Sequence, residues 1–143
     1  MQLALEAVVD VAFHARPDPV QSKDITRRQG IPQRYLEQVM QRLVHAGILK
    51  GVRGPKGGYR LARERRRISV GEILEVVHQI EQAEMEEETC VSDLAGLIVR
   101  PMMADVSKSF MDELSKITLE ELCRKATEEG LQPEKARGMD FNI

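Results

Sequence analysis

Apolar residues in the first third of the chain recur at the three- and four-residue steps of amphipathic helices, with interruptions at proline and glycine. The first stripe starts at residue 1, which indicates a helix without its natural start or a trimmed chain, and it ends by Pro17. Ser22 can cap a second, short helix over residues 23–29. Gly30 then turns into a third helix, a spacing that predicts a helix-turn-helix. The two long stripes are Leu3, Ala4, Ala7, Val8, Val11 and Ala12, then Leu36, Val39, Met40, Leu43 and Val44.

A short basic hairpin is predicted after the third helix. Gly47 ends that helix, and residues 48–52 and 59–61 can pair as two strands. The connecting sequence RGPKGG contains glycines, which permit positive φ, and a proline, which fixes a turn. A loop this small and cationic suits a DNA groove, so the pattern indicates a DNA-reading helix followed by a wing. The polar face of that helix carries Gln33, Arg34, Glu37, Gln38, Gln41 and Arg42.

Two capping boxes predict further helices in the second half of the chain. The first opens a helix that runs through Ile80, and the second opens a short helix that ends near Gly130. Residues 81–89 are acidic and lack periodicity, which predicts a loop or a frayed connection, and residues 131–143 are predicted to form a loose tail. The boxes are Ser69 with Glu72, and Thr118 with Glu121.

A longer apolar stripe lies between these two helices. It continues for more than three turns outside a compact core, which favours a partner helix and predicts a homodimer. Pro101 interrupts the stripe, so the helix either kinks there or begins near Arg100. The predicted interface residues are Leu97, Ile98, Met102, Val106, Phe110 and Leu114, and Leu94 and Ile117 extend the stripe at its ends.

These elements predict a mainly α fold in which successive segments of the chain have different functions. We expect a winged helix-turn-helix domain over residues 1–80, an acidic linker over 81–93, the dimerisation helix and short terminal helix over 94–130, and the tail. Charge follows the same division, because the chain up to Arg67 has a net charge of +8 and the remainder has −10. The basic part can attract a DNA duplex, whereas the acidic part must lie away from the phosphates.

Composition excludes several classes of function. Aromatic residues make up only 3% of the chain, too few for a single-stranded nucleic-acid binder that stacks bases on exposed rings. No segment has the length and hydropathy of a membrane span, and no signal peptide opens the chain, so we expect a cytoplasmic protein. The three histidines are isolated from one another, and no phosphate-binding loop or nucleophile elbow is present. The sequence therefore predicts no enzyme.

Several segments resemble those of a known family. They are YLEQ at residues 35–38, AGIL at 46–49, VRGPKGGYRLA at 52–62 and ISVGEI at 68–73. They look like the Rrf-two (Rrf2) family of bacterial winged-helix transcription regulators, which includes iron–sulfur cluster regulators, nitric-oxide sensors and cysteine-metabolism repressors. The resemblance covers about the first 80 residues, and residues 117–119 more weakly. It implies that the long helix crosses to the other subunit of a homodimer and that the dimer binds a palindromic operator. We expect the regulator to be a repressor.

The resemblance also implies roles for individual residues. Glu37 would accept a hydrogen bond from a cytosine amino group in the major groove, and Arg34 would reach guanine or a phosphate. Arg53 at the wing would enter the minor groove. Gln33 and Gln38 are further candidate contacts. The residues expected to grip phosphates, which position the protein without specifying sequence, are Arg27, Arg28, Lys56 and Arg60.

The chain departs from the family at its cysteines. Iron–sulfur members carry three closely spaced cysteines between the wing domain and the long helix, whereas here that region contains Cys90 alone. We therefore expect no cofactor. The alternatives for Cys90 are an incidental thiol, a redox thiol whose pKa is raised by acidic neighbours, or one ligand of a cluster completed by Glu86, Glu88 or a partner chain.

Two functions from different classes remain open. The first is a homodimeric DNA-binding transcription regulator, which takes specificity from the third helix. The second is a winged-helix interaction module whose acidic half docks a partner protein. A basic wing around a glycine tip favours the first, because a module used only for protein contacts has no need of it. Both can hold if a protein partner or a small-molecule signal controls DNA binding.

Overall fold

The chain is described by a computed structural model that covers residues 1–15, 17–86 and 92–134. The expectations for Glu88, for Cys90 and for the tail beyond residue 134 lie outside the described residues. Helices dominate the described part, and its two strands form an antiparallel hairpin, as the sequence predicts. The elements are α1 (Gln2–His14), α2 (Ser22–Gln29), α3 (Gln33–His45), β1 (Leu49–Val52), β2 (Gly58–Leu61), α4 (Val70–Glu86), α5 (Arg100–Leu114) and α6 (Leu119–Glu128).

The core of the described part forms where α1 packs against α2, α3, α4 and α6. The predicted apolar stripes of α1 and α3 supply much of it, because their spacing aligns the side chains on one helix face. Burial of each Leu or Ile side chain is worth roughly 1.5–3 kcal/mol relative to exposure. Fully buried members include Val8, Val11, Ile25, Ile31, Leu36, Met40, Leu43, Ile68, Ile73 and Leu119.

The turn between α2 and α3 has the predicted glycine geometry. Gly30 adopts φ +66°, and Gly47, just after α3, adopts φ +76°, a region in which residues with a Cβ are strained. The predicted cap at Ser22 is wrong, since Gln21 occupies the N-cap position and Ser22 is the first residue of α2. Pro32 is the N-cap of α3, one position before its first turn.

The wing has one more strand segment than the sequence predicts. In the hairpin, Leu49 pairs with Leu61 and Val52 with Gly58. Val20, from the connection between α1 and α2, also forms an antiparallel bridge with Tyr59. Its N–H donates to the Tyr59 carbonyl at 2.9 Å and its carbonyl accepts from the Tyr59 N–H at 2.7 Å. The wing is thereby tied to the start of the helix-turn-helix.

The predicted connection after Ile80 is wrong over its first part. Helix α4 continues to Glu86, six residues beyond the expected boundary of the winged domain. The segment Glu-Gln-Ala-Glu-Met-Glu consists of strong helix formers, so the loss of an apolar stripe did not mean the loss of the helix. Residues 87–91 of the expected linker lie outside the described part.

The long apolar stripe lies on a helical segment that combines a π-helical turn with an α-helix. Residues 93 and 94 are helical, Ala95–Val99 forms a π-helical turn, and α5 continues directly from it at Arg100. The backbone is therefore helical before Pro101, and the alternative of a helix that begins near Arg100 is wrong. Because proline lacks an N–H and crowds the carbonyl four residues earlier, a wider turn before it relieves the clash.

Both predicted capping boxes are confirmed. The Glu72 N–H donates to Ser69 Oγ at 3.1 Å, and the Ser69 N–H donates to Glu72 Oε2 at 2.9 Å. Thr118 and Glu121 make the reciprocal pair at the start of α6. None of the described helices has the length and hydropathy needed to cross a membrane.

Candidate nucleic-acid interface

The exposed face of α3 presents four polar side chains next to the helix-turn-helix corner. Gln33, Arg34, Glu37 and Gln38 are all exposed, whereas the opposite face of α3 is buried in the core. Gln33 Nε2 donates to Glu37 Oε1 at 2.9 Å, one turn along the helix. The arrangement offers a carboxylate, two amides and a guanidinium, which are the groups that read base edges in a major groove.

The wing presents cations on a tip whose backbone is fixed from two sides. Arg53, Lys56 and Arg60 are exposed. The Gly57 N–H donates to the Gly54 carbonyl at 2.9 Å, which closes the turn. Gln21 Nε2 donates to the Pro55 carbonyl at 3.3 Å and links the tip to the start of α2. Sequence reasoning missed this link, because nothing local marks a contact 34 residues apart.

Arg28, expected at a phosphate, instead takes part in the fold. Its guanidinium donates two hydrogen bonds to the carboxylate of Asp10, at 2.8 and 2.6 Å, and Gln29 Nε2 donates a third at 2.8 Å. The Asp10 side chain is fully buried and that of Arg28 is only 12% exposed. The hydrogen bond to Asp10 raises the pKa of Arg28. A cation that is hydrogen-bonded to a buried carboxylate is poorly available to DNA, so Arg28 is not a phosphate contact in the proposed function.

Arg27 remains exposed but meets the C-terminal segment. Glu134 accepts a bond from Arg27 at 3.0 Å and another from Arg28 at 2.6 Å. The Glu134 N–H also donates to His14 Nδ1 at 2.9 Å. The hydrogen bond from Arg27 lowers the pKa of Glu134. Glu134, in the predicted loose tail, therefore contacts α1 and α2, which lie more than 100 positions away in sequence.

Arginines in the segment after the wing, residues 63–67, form ion pairs with carboxylates of the same chain. Arg63 contacts Glu72 at 3.1 Å, and Arg65 contacts Glu120 of α6 at the same distance. Arg66 pairs with Glu64 at 2.5 Å. These ion pairs neutralise part of the positive charge of the winged domain before any duplex approaches. The wing and the start of α3 therefore carry the more available polar groups.

The predicted dimer residues form an exposed apolar face. Leu97 is 73% exposed and Phe110 is 52% exposed, although both are large hydrophobic side chains. An exposed apolar row this extensive is typical of an interaction surface. The other predicted members are Ile98, Met102 and Val106, which are exposed, and Leu114, which is half-buried.

The described residues offer no ready metal site. No group of three His, Cys, Asp or Glu side chains within them is arranged to hold a metal ion. Cys123, a residue of α6, is buried in the core. The residues present in this part of the chain thus do not fit a cluster held by three thiolates.

Comparisons with known proteins agree with the geometry. Residues 1–125 match the Rrf2 family, which is described as an iron-dependent transcriptional regulator. The transcriptional regulator IscR of Vibrio campbellii is 34% identical over 122 residues, 85% of this chain and 73% of that protein. IscR of Vibrio cholerae is 38% identical over 122 residues, 83% of this chain and 69% of that protein.

Solved structures show the same similarity in three dimensions. IscR of T. potens superposes with a TM-score of 0.68 at 34% identity, covering 98% of this chain and 91% of that one. CymR of B. subtilis, the global cysteine regulator, superposes with a TM-score of 0.64 at 26% identity, covering 87% and 92%. With the helix-turn-helix and basic wing in place, these matches establish that the chain belongs to the Rrf2 family of winged-helix, DNA-binding transcriptional regulators.

Proposed function

We propose that the protein is a repressor that binds a palindromic operator as a homodimer in the bacterial cytoplasm. The observation that carries the proposal is the row of exposed polar side chains on α3 beside a cationic wing. Helix α3, called the recognition helix below, enters the major groove, and Glu37 accepts from a cytosine amino group there. Arg34 and Gln38 make neighbouring contacts.

The wing supplies affinity and a second point of attachment. Arg53 enters the minor groove, where narrow A·T-rich tracts attract arginine. Lys56 and Arg60 bind phosphates and so position the recognition helix without specifying sequence. Arg27 joins them when its contact with Glu134 exchanges for a phosphate, because both are anionic acceptors of the same guanidinium.

The apolar face of α5 supports the homodimer. Two copies that bury this face against each other remove a row of large side chains from water, at roughly 25 cal/mol per Å². A two-fold dimer presents two recognition helices in inverted orientation, so its operator must be a palindrome.

A selection from randomised duplexes tests the function. Purified protein is incubated with the library, and the bound DNA is recovered and sequenced. We expect inverted half-sites with centres about one helical turn apart or a multiple of it. Transcription from a promoter overlapping that site should then fall as protein is added. Enrichment of no sequence would contradict the proposal and favour the alternative of a protein-interaction module.

A further inference from the structure

Three polar side chains form a hydrogen-bonded chain across the helix-turn-helix. Thr26 of α2 donates from Oγ1 to Gln33 Oε1 at 3.0 Å. Gln33 Nε2 then donates to Glu37 Oε1 at 2.9 Å. The chain therefore connects the helix that precedes the turn to the carboxylate on the recognition helix. Thr26 was not among the residues singled out from the sequence, because its partner lies on another helix.

The chemistry of the three side chains fixes which atom donates and which accepts in each of these two hydrogen bonds. An ionised Glu37 carboxylate can only accept hydrogen bonds, so the Gln33 amide must present its nitrogen to it. The Gln33 carbonyl oxygen then faces Thr26, whose hydroxyl can act as the donor. The reversed amide would place two oxygen acceptors 2.9 Å apart on the Glu37 side. The carboxylate thus fixes the orientation of the amide, and the Thr26 hydroxyl adds a second hydrogen bond that holds the Gln33 side chain in place.

We propose that Gln33 is a positioning residue that orients Glu37 for base reading, and that Thr26 holds Gln33 in place. This inference rests on the proposed function, in which Glu37 reads a cytosine. An exposed glutamate samples several rotamers and must lose that freedom on binding DNA. A hydrogen bond to Oε1 removes part of that loss in advance and leaves Oε2 to accept from the cytosine amino group. Gln33 therefore sets specificity without contacting a base.

The first test removes the amide of Gln33. Dissociation constants are measured for the selected operator and for a copy in which the base pair read by Glu37 is changed. Gln33→Met keeps the side-chain length but loses the donor, and it should reduce discrimination at that pair roughly fivefold to tenfold. Affinity for non-specific duplexes should stay the same. Gln2→Met is the matched control, because it removes the same kind of bond outside the recognition helix, from Gln2 Nε2 to Glu6 Oε1 at 2.9 Å in α1, and it should leave discrimination unchanged.

The second test removes the hydroxyl of Thr26, the residue at the other end of the hydrogen-bonded series from Glu37. Thr26→Val removes the hydroxyl at constant shape, and it should lower discrimination at the same base pair. Thr26→Ser keeps a hydroxyl donor and should restore it. Thermal unfolding of both variants identifies any loss of fold, so the comparison of Val with Ser stays informative. Equal discrimination by the two variants would contradict a role for the Thr26 hydroxyl.

A double substitution separates positioning from direct contact. In a Glu37→Ala background, Gln33→Met should have no further effect on discrimination, because there is no carboxylate left to orient. A further loss there, or a loss at a different base pair, means that Gln33 contacts DNA and overturns the inference. If Glu37→Ala removes discrimination while Gln33→Met does not, positioning fails and the proposed function stands. If Glu37→Ala changes no preference, the base-reading role fails as well.

Discussion

Gly71, in the first turn of α4, lies directly against Ser115, the residue that follows α5. A Cβ at position 71 would lie 2.9 Å from both the Cα and the N atom of Ser115, closer than real Cβ contacts allow. Beside this contact, Ser69 and Thr118 form an antiparallel bridge. The end of α5 is thereby fixed to the winged domain, which ties the proposed dimer helix to the proposed DNA-binding surface.

We expect Gly71→Ala to destabilise the protein by about 1–3 kcal/mol, because the added methyl group forces backbone apart. Denaturant unfolding monitored by circular dichroism measures the change. Gly51→Ala is the matched control, since a Cβ there meets no atom within 4 Å. It should change the free energy of unfolding by no more than about 0.5 kcal/mol. A Gly71→Ala protein as stable as wild type would show that α4 and α5 are not held so closely.

The elements that the sequence predicted are those governed by local rules. Helix periods, capping boxes and the glycine turn at Gly30 depend on residues a few positions apart, and the structure contains all of them. The ion pairs of Arg28 with Asp10 and with Glu134 depend on tertiary packing that no local pattern specifies. For that reason the sequence gives no sign of the hydrogen bonds that hold Arg28 against Asp10.

A second prediction concerns the apolar face of α5. Phe110→Glu should convert the proposed homodimer to a monomer, because a buried carboxylate in an apolar interface is strongly unfavourable. Sedimentation at micromolar concentration measures the oligomeric state. Lys108→Glu introduces the same carboxylate on the polar side of α5, shared with Asp105 and Asp112, and should leave the dimer intact. A monomeric wild-type protein under these conditions would contradict the proposed homodimer.

A third prediction concerns iron. The family is described as iron-dependent, but the described residues of this chain contain no three-ligand site, and Cys90 lies outside them. We expect protein purified without oxygen to be colourless and to contain no stoichiometric iron or acid-labile sulfide. Cys90→Ser should match the wild type in both analyses. Stoichiometric iron and sulfide, lost in Cys90→Ser, would reverse this expectation and make nearby carboxylates candidate ligands.

A fourth prediction follows from His14. Burial, followed by repulsion from Arg28, lowers the pKa of His14 below its ordinary value of 6.5. The unfolded state therefore binds a proton at His14 more readily than the folded state does. The contribution of His14 to the free energy of unfolding is fully present above pH 6.5 and is lost as the pH falls through the pKa of the folded state. Asp10 and Glu134 oppose the shift and Arg27 adds to it.

Denaturant unfolding at about pH 7 and about pH 5 measures this dependence. His14→Gln should lose less stability on acidification than wild type, because it has no proton to take up. His45→Gln, at an exposed histidine of α3, is the control and should keep the wild-type dependence. Identical losses in wild type and His14→Gln would show that His14 does not couple protonation to folding.

The last prediction separates base reading from phosphate binding. Glu37 is exposed on the recognition helix, whereas Lys56 lies at the tip of the wing. Glu37→Ala should lose roughly 1–3 kcal/mol of discrimination at one base pair, because a specific acceptor is removed from the groove. Lys56→Ala should weaken binding to all duplexes alike and reduce the slope of log K against log salt by about one contact. Titrations at several salt concentrations, on the operator and on point-mutated copies, measure both effects. A Lys56→Ala protein with altered base preference and an unchanged salt slope would mean that the wing reads sequence, and the roles of wing and helix would have to be reassigned.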